Sequence, residues 1–307
     1  MFRNKVSAGQ LAAWSFSAAV PVLIQLLGGG SWIWVAAGAV VSLWLTVRVW
    51  QSGWSPIAWI RPFLFIYVVL LLGTLLGQSA ESWPTGSREV LPYLLLLLGI
   101  WSARKGQSVA ARVGAVLYWA VVILYLVVIG AGLKDLRLQW LYPQWTGDLR
   151  LGYAVFLVPP MSAYLLKGRS AEKRKWMLAG LVVVVAAVVT AGVLSPNLAE
   201  NTLNAFYEMS RGIQVLGVAR RLEALISAGM TVGWFSLISL LLVLCGAIAE
   251  DIFGGSGKWG VWGGAAGAAA MLLCGLHIPA WMLLSVGTVF WVVTPLLTQG
   301  LESEKKS

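Results

Sequence analysis

Three prolines lie well inside long apolar runs of the sequence, Pro21 in the first run and the adjacent Pro159 and Pro160 in the sixth. A proline inside a helix removes one backbone hydrogen bond and leaves a carbonyl oxygen without its donor. In lipid, that carbonyl must find a donor from the protein or from a water-lined cavity. Transporters commonly bind solutes at such helix breaks, near the middle of the membrane. The prolines therefore predict a small-molecule site, the alternative being two ordinary helix kinks.

The predicted site includes side chains that can hydrogen-bond to a ligand or to the freed carbonyls. The hydroxyls of Ser17 and Tyr153 are donors, and an amide such as Gln25 both donates and accepts. The first and sixth runs are the equivalent first helices of two five-helix halves, so an inverted repeat would bring their breaks together. The predicted ligand-binding residues are Ser17, Pro21, Gln25, Gly152, Tyr153 and Pro159.

No pattern of catalytic residues accompanies this site. The sequence shows no nucleophile–base pair, paired carboxylates, zinc-ligand spacing or glycine-rich phosphate loop. We therefore expect neither enzymatic activity nor a bound cofactor or metal. Cys245 and Cys274 lie in apolar runs and are interpreted as packing residues. Charged residues occur in these runs only near their ends, so the proton relay typical of pumps is not evident.

The elements that position these residues are expected to be membrane helices. Residues of the AVILMFWYC set make up 59% of the 307 residues, charged residues make up 11%, and the mean hydropathy is +0.81. A soluble domain carries about 25% charged residues. The net charge of +10 comes from cations placed between the apolar runs, where topology signals lie, which argues against nucleic-acid binding.

Ten apolar runs are candidate spanning helices, and none shows the alternating polarity of a membrane β-barrel. The sequence therefore predicts an all-α, polytopic membrane protein that forms one domain over residues 1–307. Helices 1–5 fall in about 10–133 and helices 6–10 in about 151–298, as a 5+5 inverted repeat in which helices 1 and 6 are broken. The runs are roughly 10–27, 32–49, 62–79, 90–102, 112–133, 151–167, 176–195, 223–249, 259–277 and 279–298. The fourth run is short, so nine spans are the alternative.

Lysine and arginine residues are divided unevenly between the two sides of this arrangement. Fifteen lie on the side of the N-terminus and seven on the opposite side. Loops rich in these residues stay in the cytoplasm, so both termini and the 167–175 loop are expected to be cytoplasmic.

Two long loops, 134–150 and 196–222, fall on the outer side. The second has apolar residues at helical spacing, which predicts either an interfacial helix on the bilayer or a lid over an outward-facing cavity. Where this loop enters a helix, Arg221 could pair with Glu223 or with an acid of the loop and fix the loop in place. We therefore assign Arg221 and Glu223 a structural or coupling role, the alternative being an arginine bound to lipid headgroups.

Four short motifs follow one another along the chain. They are V-S-A-G-Q-L at 6–11, A-R-K-G at 103–106 followed by A-A-R-V-G at 110–114, G-Y at 152–153 followed by prolines at 159–160, and R-R-L-E-A-L at 220–225. In this order and spacing the chain resembles the B subunits of spore germinant receptors, the GerAB-type proteins. These belong to the amino acid/polyamine/organocation permease superfamily.

The resemblance implies a ten-helix, permease-like fold and a nutrient-sensing subunit in the inner membrane of a bacterial spore. It implies that a small nutrient, an amino acid, binds between helices 1 and 6. It also implies that the A and C subunits of the receptor are partners of the chain in the lipid bilayer. Two alternatives stay open, an amino acid transporter of the same superfamily and a structural membrane subunit that binds no ligand.

Overall fold

A computed structural model describes most of the predicted spans. It covers residues 6–26, 32–52, 56–81, 89–141, 161, 164–165, 173–195, 198, 202, 204–212, 222–276 and 278–297. Throughout these ranges the regular secondary structure is helical, which agrees with the predicted all-α class.

Ten α-helices make up the described structure. In chain order they are α1 (Ala8–Leu26), α2 (Trp32–Ser52), α3 (Arg61–Glu81), α4 (Leu91–Ala103), α5 (Gln107–Gly132), α6 (Lys173–Val193), α7 (Ala205–Gly212), α8 (Leu222–Phe253), α9 (Lys258–Leu273) and α10 (Ala280–Thr288). A π-helical turn, Val289–Val293, continues α10, and 3-10 turns occupy Ala58–Ile60, Leu133–Asp135 and Leu138–Leu141.

Nine of the ten predicted spans coincide with helices of the structure, from α1 to α10 with the short α7 set aside. The remaining span, the sixth, lies mostly outside the described residues, which include only Met161, Tyr164 and Leu165 of it. Within the described ranges, three segments are long and apolar enough to cross a membrane by themselves: Ala58–Ala80, Gln107–Asp135 and Ala224–Phe253.

Helix α4 is shorter than the other helices of the first half, α1, α2, α3 and α5. Its 13 residues rise about 20 Å, whereas the hydrocarbon core of a bilayer is about 30 Å thick. Its position agrees with the prediction, and its length leaves open the alternative of nine spans.

The long helix α8 lies at the centre of the bundle and packs against α1, α3, α4, α5 and α9. The pairings match between the two halves of the chain. Helix α3 contacts α9, and the counterpart of this pair is α8 with α4. Helix α3 also contacts α10, and the counterpart of that pair is α8 with α5. The contact between α10 and α3 includes the rings of Tyr67 and Phe290, whose centroids are 5.8 Å apart. This pattern is consistent with the predicted 5+5 repeat, in which α3 and α8 are equivalent.

The first helix is continuous, which corrects the expectation of a broken helix 1. Helix α1 runs without interruption from Ala8 to Leu26 with Pro21 inside it. A proline removes the single bond that its own amide would donate to residue 17, and its fixed φ angle suits a helix. The Pro21 ring packs against Gly233 of α8, where any side chain would overlap it. The proline therefore lies in the close contact between α1 and α8, within a continuous helix.

Candidate functional site

The three predicted site residues of α1 lie along one face of that helix, turned towards α5 and α8. Ser17, Pro21 and Gln25 follow each other at four-residue intervals, and all three are buried. Each contacts one of the two neighbouring helices, as described below. The structure thus brings the first half of the predicted site together in the apolar core.

Ser17 joins α1 to α5 through its hydroxyl group. Its Oγ lies 3.1 Å from the carbonyl oxygen of Ala13, one turn earlier, and 3.1 Å from the carbonyl oxygen of Gly114 on α5. The backbones approach closely because Gly114 has no side chain, since a Cβ there would overlap the indole ring of Trp14. The Ser17 hydroxyl therefore links the two helices through backbone carbonyls, and neither of these is the carbonyl that Pro21 leaves without a donor.

Gln25 joins α1 to α8 by a hydrogen bond between side chains. The indole Nε1 of Trp234 donates to Oε1 of Gln25 over 2.6 Å. Gln25 is 1% exposed and Trp234 is fully buried, so this bond lies in an apolar environment where an unpaired polar group is costly. Trp234 was not among the predicted site residues. It lies nine residues after Leu225, the last residue of the R-R-L-E-A-L motif, and no sequence pattern marked it as a hydrogen-bond donor.

Helix α7 lies within the 196–222 loop and packs on the bundle near the N-terminal end of α8. Its residues Phe206 and Met209 are buried, and the Phe206 ring stacks on Tyr125 of α5 with centroids 5.5 Å apart. Its polar face carries an exposed pair in which Arg211 Nη1 lies 3.0 Å from a carboxylate oxygen of Glu208. Helix α7 also contacts α1, α6 and α8. It is therefore docked on the helix bundle, and its role as a lid stays a prediction.

At the opposite end of the bundle, Asp251 receives two hydrogen bonds from other elements. The hydroxyl of Tyr164 donates to its carboxylate over 2.6 Å, and Arg61 Nη1 donates to its backbone carbonyl over 2.8 Å. The Tyr164 ring also packs edge-on against Trp291. These contacts tie the last part of the sixth predicted span to α3, α8 and the π-helical turn. Asp251 was not among the predicted site residues, and its only signal in the sequence is an acid at the end of a long apolar run.

Further bonds gather the starts of helices at this same end. Gln107 Nε2, at the start of α5, donates to the carbonyl of Leu165 over 3.1 Å. Lys175 Nζ, in the first turn of α6, donates to the carbonyl of Gly9 in the first turn of α1 over 3.0 Å. All these groups belong to the side that the cation distribution predicts to be cytoplasmic. The structure places them at one end of the bundle, which we call the inner end, and the cytoplasmic orientation of this end stays a prediction.

Several predicted residues cannot be placed. Gly152, Tyr153, Pro159 and Arg221 lie outside the described residues, and Glu223 is described only as part of the first turn of α8. Among the described residues, no three His, Cys, Asp or Glu side chains gather where they could hold a metal ion. Cys245 is buried and packs against Gly264 of α9, in agreement with a packing role, whereas Cys274 is exposed just after α9.

No protein-family model matches the chain, and no curated protein matches it. Among solved structures it is similar to Mhp1, a transporter of the nucleobase-cation-symport-1 family, described in a closed conformation with bromovinylhydantoin bound. The two share 12% sequence identity and superpose with a TM-score of 0.61 over 93% of this chain and 75% of that one. The chain has a transporter fold.

This fold is of the LeuT type, shared by permeases of the amino acid/polyamine/organocation kind. Together with the apolar helices, it makes the chain an integral membrane protein. The similarity agrees with the permease-like architecture that the motifs imply, and it concerns the fold alone.

Proposed function

We propose that the chain is the nutrient-sensing subunit of a spore germinant receptor, a permease-like protein of the spore inner membrane that binds a small molecule and signals to A and C subunits. The observation that carries the proposal is the transporter fold, found in a chain whose ordered motifs resemble GerAB-type subunits. The fold supports the permease-like part of the proposal, and the motifs support the receptor role.

The proposed ligand site lies along the face of α1 that bears Ser17, Pro21 and Gln25, and the GerAB resemblance implies that the sixth span completes it. Mhp1 is described with a small polar heterocycle bound, so a helix bundle of this fold can enclose a solute of that size. An amino acid is the ligand class that the GerAB resemblance implies. Entry of a ligand would have to compete with the Gln25–Trp234 hydrogen bond or use it, because both side chains are buried.

Sensing rather than pumping is supported by the distribution of charge. In the described spanning helices every Asp and Glu lies within four residues of a helix end, as Glu81, Glu223, Glu250 and Asp251 show. Carboxylates at the middle of a membrane mark proton relays and ion paths. A receptor needs only two helix packings for which the ligand has different affinities.

An amino acid transporter is the second candidate, and the similarity to a solute symporter favours it. Sodium coupling can use backbone carbonyls, so the position of the carboxylates does not exclude it. A structural subunit that binds no ligand is the third.

One set of measurements on the purified chain separates the three. A panel of amino acids is tested for thermal stabilisation of the protein in detergent, because a ligand that binds only the folded state raises its stability. The same amino acids are tested for uptake into proteoliposomes. Stabilisation without uptake supports the receptor, and stabilisation with uptake supports the transporter. Absence of both stabilisation and uptake supports the structural subunit.

A matched pair of variants locates the binding. Gln25→Leu should abolish the stabilisation by ligand, whereas Gln78→Leu, at a partly exposed position on α3, should keep it. Co-expression with candidate A and C subunits then tests the receptor role, since a stable complex is expected when the chain is the B subunit.

A further inference from the structure

The lipid-facing stripe of α4 ends in a cation at the inner end. Leu94, Leu97 and Trp101 are each more than half exposed and follow one another at helical spacing. The next position on this stripe is Arg104, which is also exposed. In a membrane protein such an exposed apolar stripe faces lipid. Its end therefore marks the boundary between hydrocarbon and headgroups, where tryptophan rings prefer to lie.

The lipid-facing stripe of α5 ends in the same way and in the same place. Val116, Trp119 and Ile123 are each at least 60% exposed. One turn before Val116, on the same face, lies Arg112, which is exposed and is flanked by further exposed valines. An arginine at such a position keeps its stem along the apolar surface and directs its guanidinium to the headgroup level.

A short hydrogen-bonded turn connects α4 to α5 and adds a third cation, Lys105. The amides of Arg104 and Gly106 donate to the carbonyls of Ile100 and Ala103, both over 2.9 Å. Lys105 is exposed. No salt bridge joins the three cations to a carboxylate within the part of the chain that the structure describes. Within the described residues, three positive charges without acidic partners thus lie at the ends of two exposed apolar stripes that this turn connects along the chain.

We infer that this turn, with Arg104, Lys105 and Arg112, is a contact site for the phosphate headgroup of an anionic phospholipid. The charge of the site fits a phosphate diester, and arginine binds phosphate oxygens in a forked geometry. The apolar stripes above the cations fit the acyl chains of the same molecule. A water-soluble acidic partner would use the cations and leave the stripes without a role, so the lipid is the occupant that matches both features.

The inference is tested with the full-length chain in nanodiscs of phosphatidylcholine that contain a minor fraction of phosphatidylglycerol. After transfer to a neutral detergent, the lipids that stay bound are identified and counted by mass spectrometry. Phosphatidylglycerol should be enriched about tenfold over its share of the disc, since three cations near an anionic surface supply at least that preference. The variant R104Q/K105Q/R112Q should lose the enrichment.

Two further variants separate the site from general effects. R104K/R112K keeps the charge and should keep most of the enrichment, which also shows that changes at this turn are tolerated. K134Q/R137Q/R211Q also removes two arginines and one lysine, but from the opposite end of the bundle. It should therefore retain the phosphatidylglycerol enrichment of the unaltered chain.

Three outcomes would overturn the inference. Equal loss in K134Q/R137Q/R211Q would show that only the net charge of the protein matters. Displacement of the bound lipid by glycerol phosphate in solution would show that the turn binds free phosphate. Absence of any enrichment in the unaltered chain would show that the cations do not select anionic lipid. An acidic segment of a partner protein would then be the occupant that fits the charge.

Discussion

The side chains of Gln25 and Trp234 form a buried hydrogen bond although 209 positions separate them in the chain. The bond lies one turn from the place where the Pro21 ring meets Gly233, so α1 and α8 are joined by a polar contact next to a close steric one. A hydrogen bond between two neutral groups contributes about 0.5–1.5 kcal/mol, and leaving one buried partner unsatisfied costs about 1–3 kcal/mol. This junction is therefore both a stabilising contact and the part of the proposed ligand site that a ligand is expected to disturb.

We expect Trp234→Phe to lower the stability of the protein by about 1–3 kcal/mol. The change removes the indole N–H that donates to the side-chain oxygen Oε1 of Gln25, which lies in an apolar core. Thermal or denaturant unfolding of the purified protein in detergent measures the change. Trp259→Phe is the control, since Trp259 is 80% exposed and should tolerate the change. Equal effects of the two variants would show that the bond contributes nothing specific.

Adding one methyl group should separate glycines that hold helices together from one that does not. Gly233→Ala and Gly114→Ala place a Cβ against Pro21 and Trp14, so each should destabilise the protein by about 1–3 kcal/mol. Gly130→Ala lies on α5 with open space around it and should be neutral or slightly stabilising. Melting temperatures of the three variants decide the matter, and a destabilised Gly130→Ala would contradict the packing described for α5.

Helix α7 should limit access to the α1 face from the outer side. Phe206→Ala removes the ring that stacks on Tyr125 and should weaken the docking of α7. In a background without Cys245 and Cys274, we expect this change to increase the labelling rate of a cysteine at position 25 by an impermeant maleimide several-fold. Tyr207→Ala, at a half-buried neighbouring position, is the control. Unchanged labelling in Phe206→Ala would mean that α7 does not act as a lid.

The cation distribution predicts which loops face the cytoplasm. In the same cysteine-free background, cysteines at positions 105 and 258 should react only when the reagent reaches the inner face, and a cysteine at position 134 should react from outside intact cells. Reaction of position 105 from outside would reverse the orientation, although not the grouping of helix ends found at the inner end.

The Tyr164–Asp251 bond can be weighed by a double-mutant cycle. Tyr164→Phe and Asp251→Asn should each destabilise the protein, and the double variant should cost less than the sum of the two, because the second change removes nothing further from the pair. A coupling energy near zero, from unfolding in detergent, would mean that the 2.6 Å contact contributes no stability.

The sequence by itself determined where most of the helices lie. Nine predicted spans match described helices because hydropathy over about 20 residues is a local property and reports directly on the lipid environment. The order of the spans also assigned Arg61 and Lys175 to one side of the membrane, and both lie at the inner end. Ser17, Pro21 and Gln25 could be selected from the sequence because a proline and polar residues stand out in an apolar run.

Only the tertiary structure decided what these residues contact. Whether Pro21 breaks a helix depends on what packs against its ring, and that neighbour, Gly233, lies more than two hundred residues further along the chain. The partners of Gln25 and Asp251 and the docking of Phe206 on Tyr125 were equally hidden. In an apolar sequence most side chains are chemically alike, so hydropathy cannot show which helix faces which. Close packing of particular small and large residues makes that choice, and it exists only once the helices have assembled.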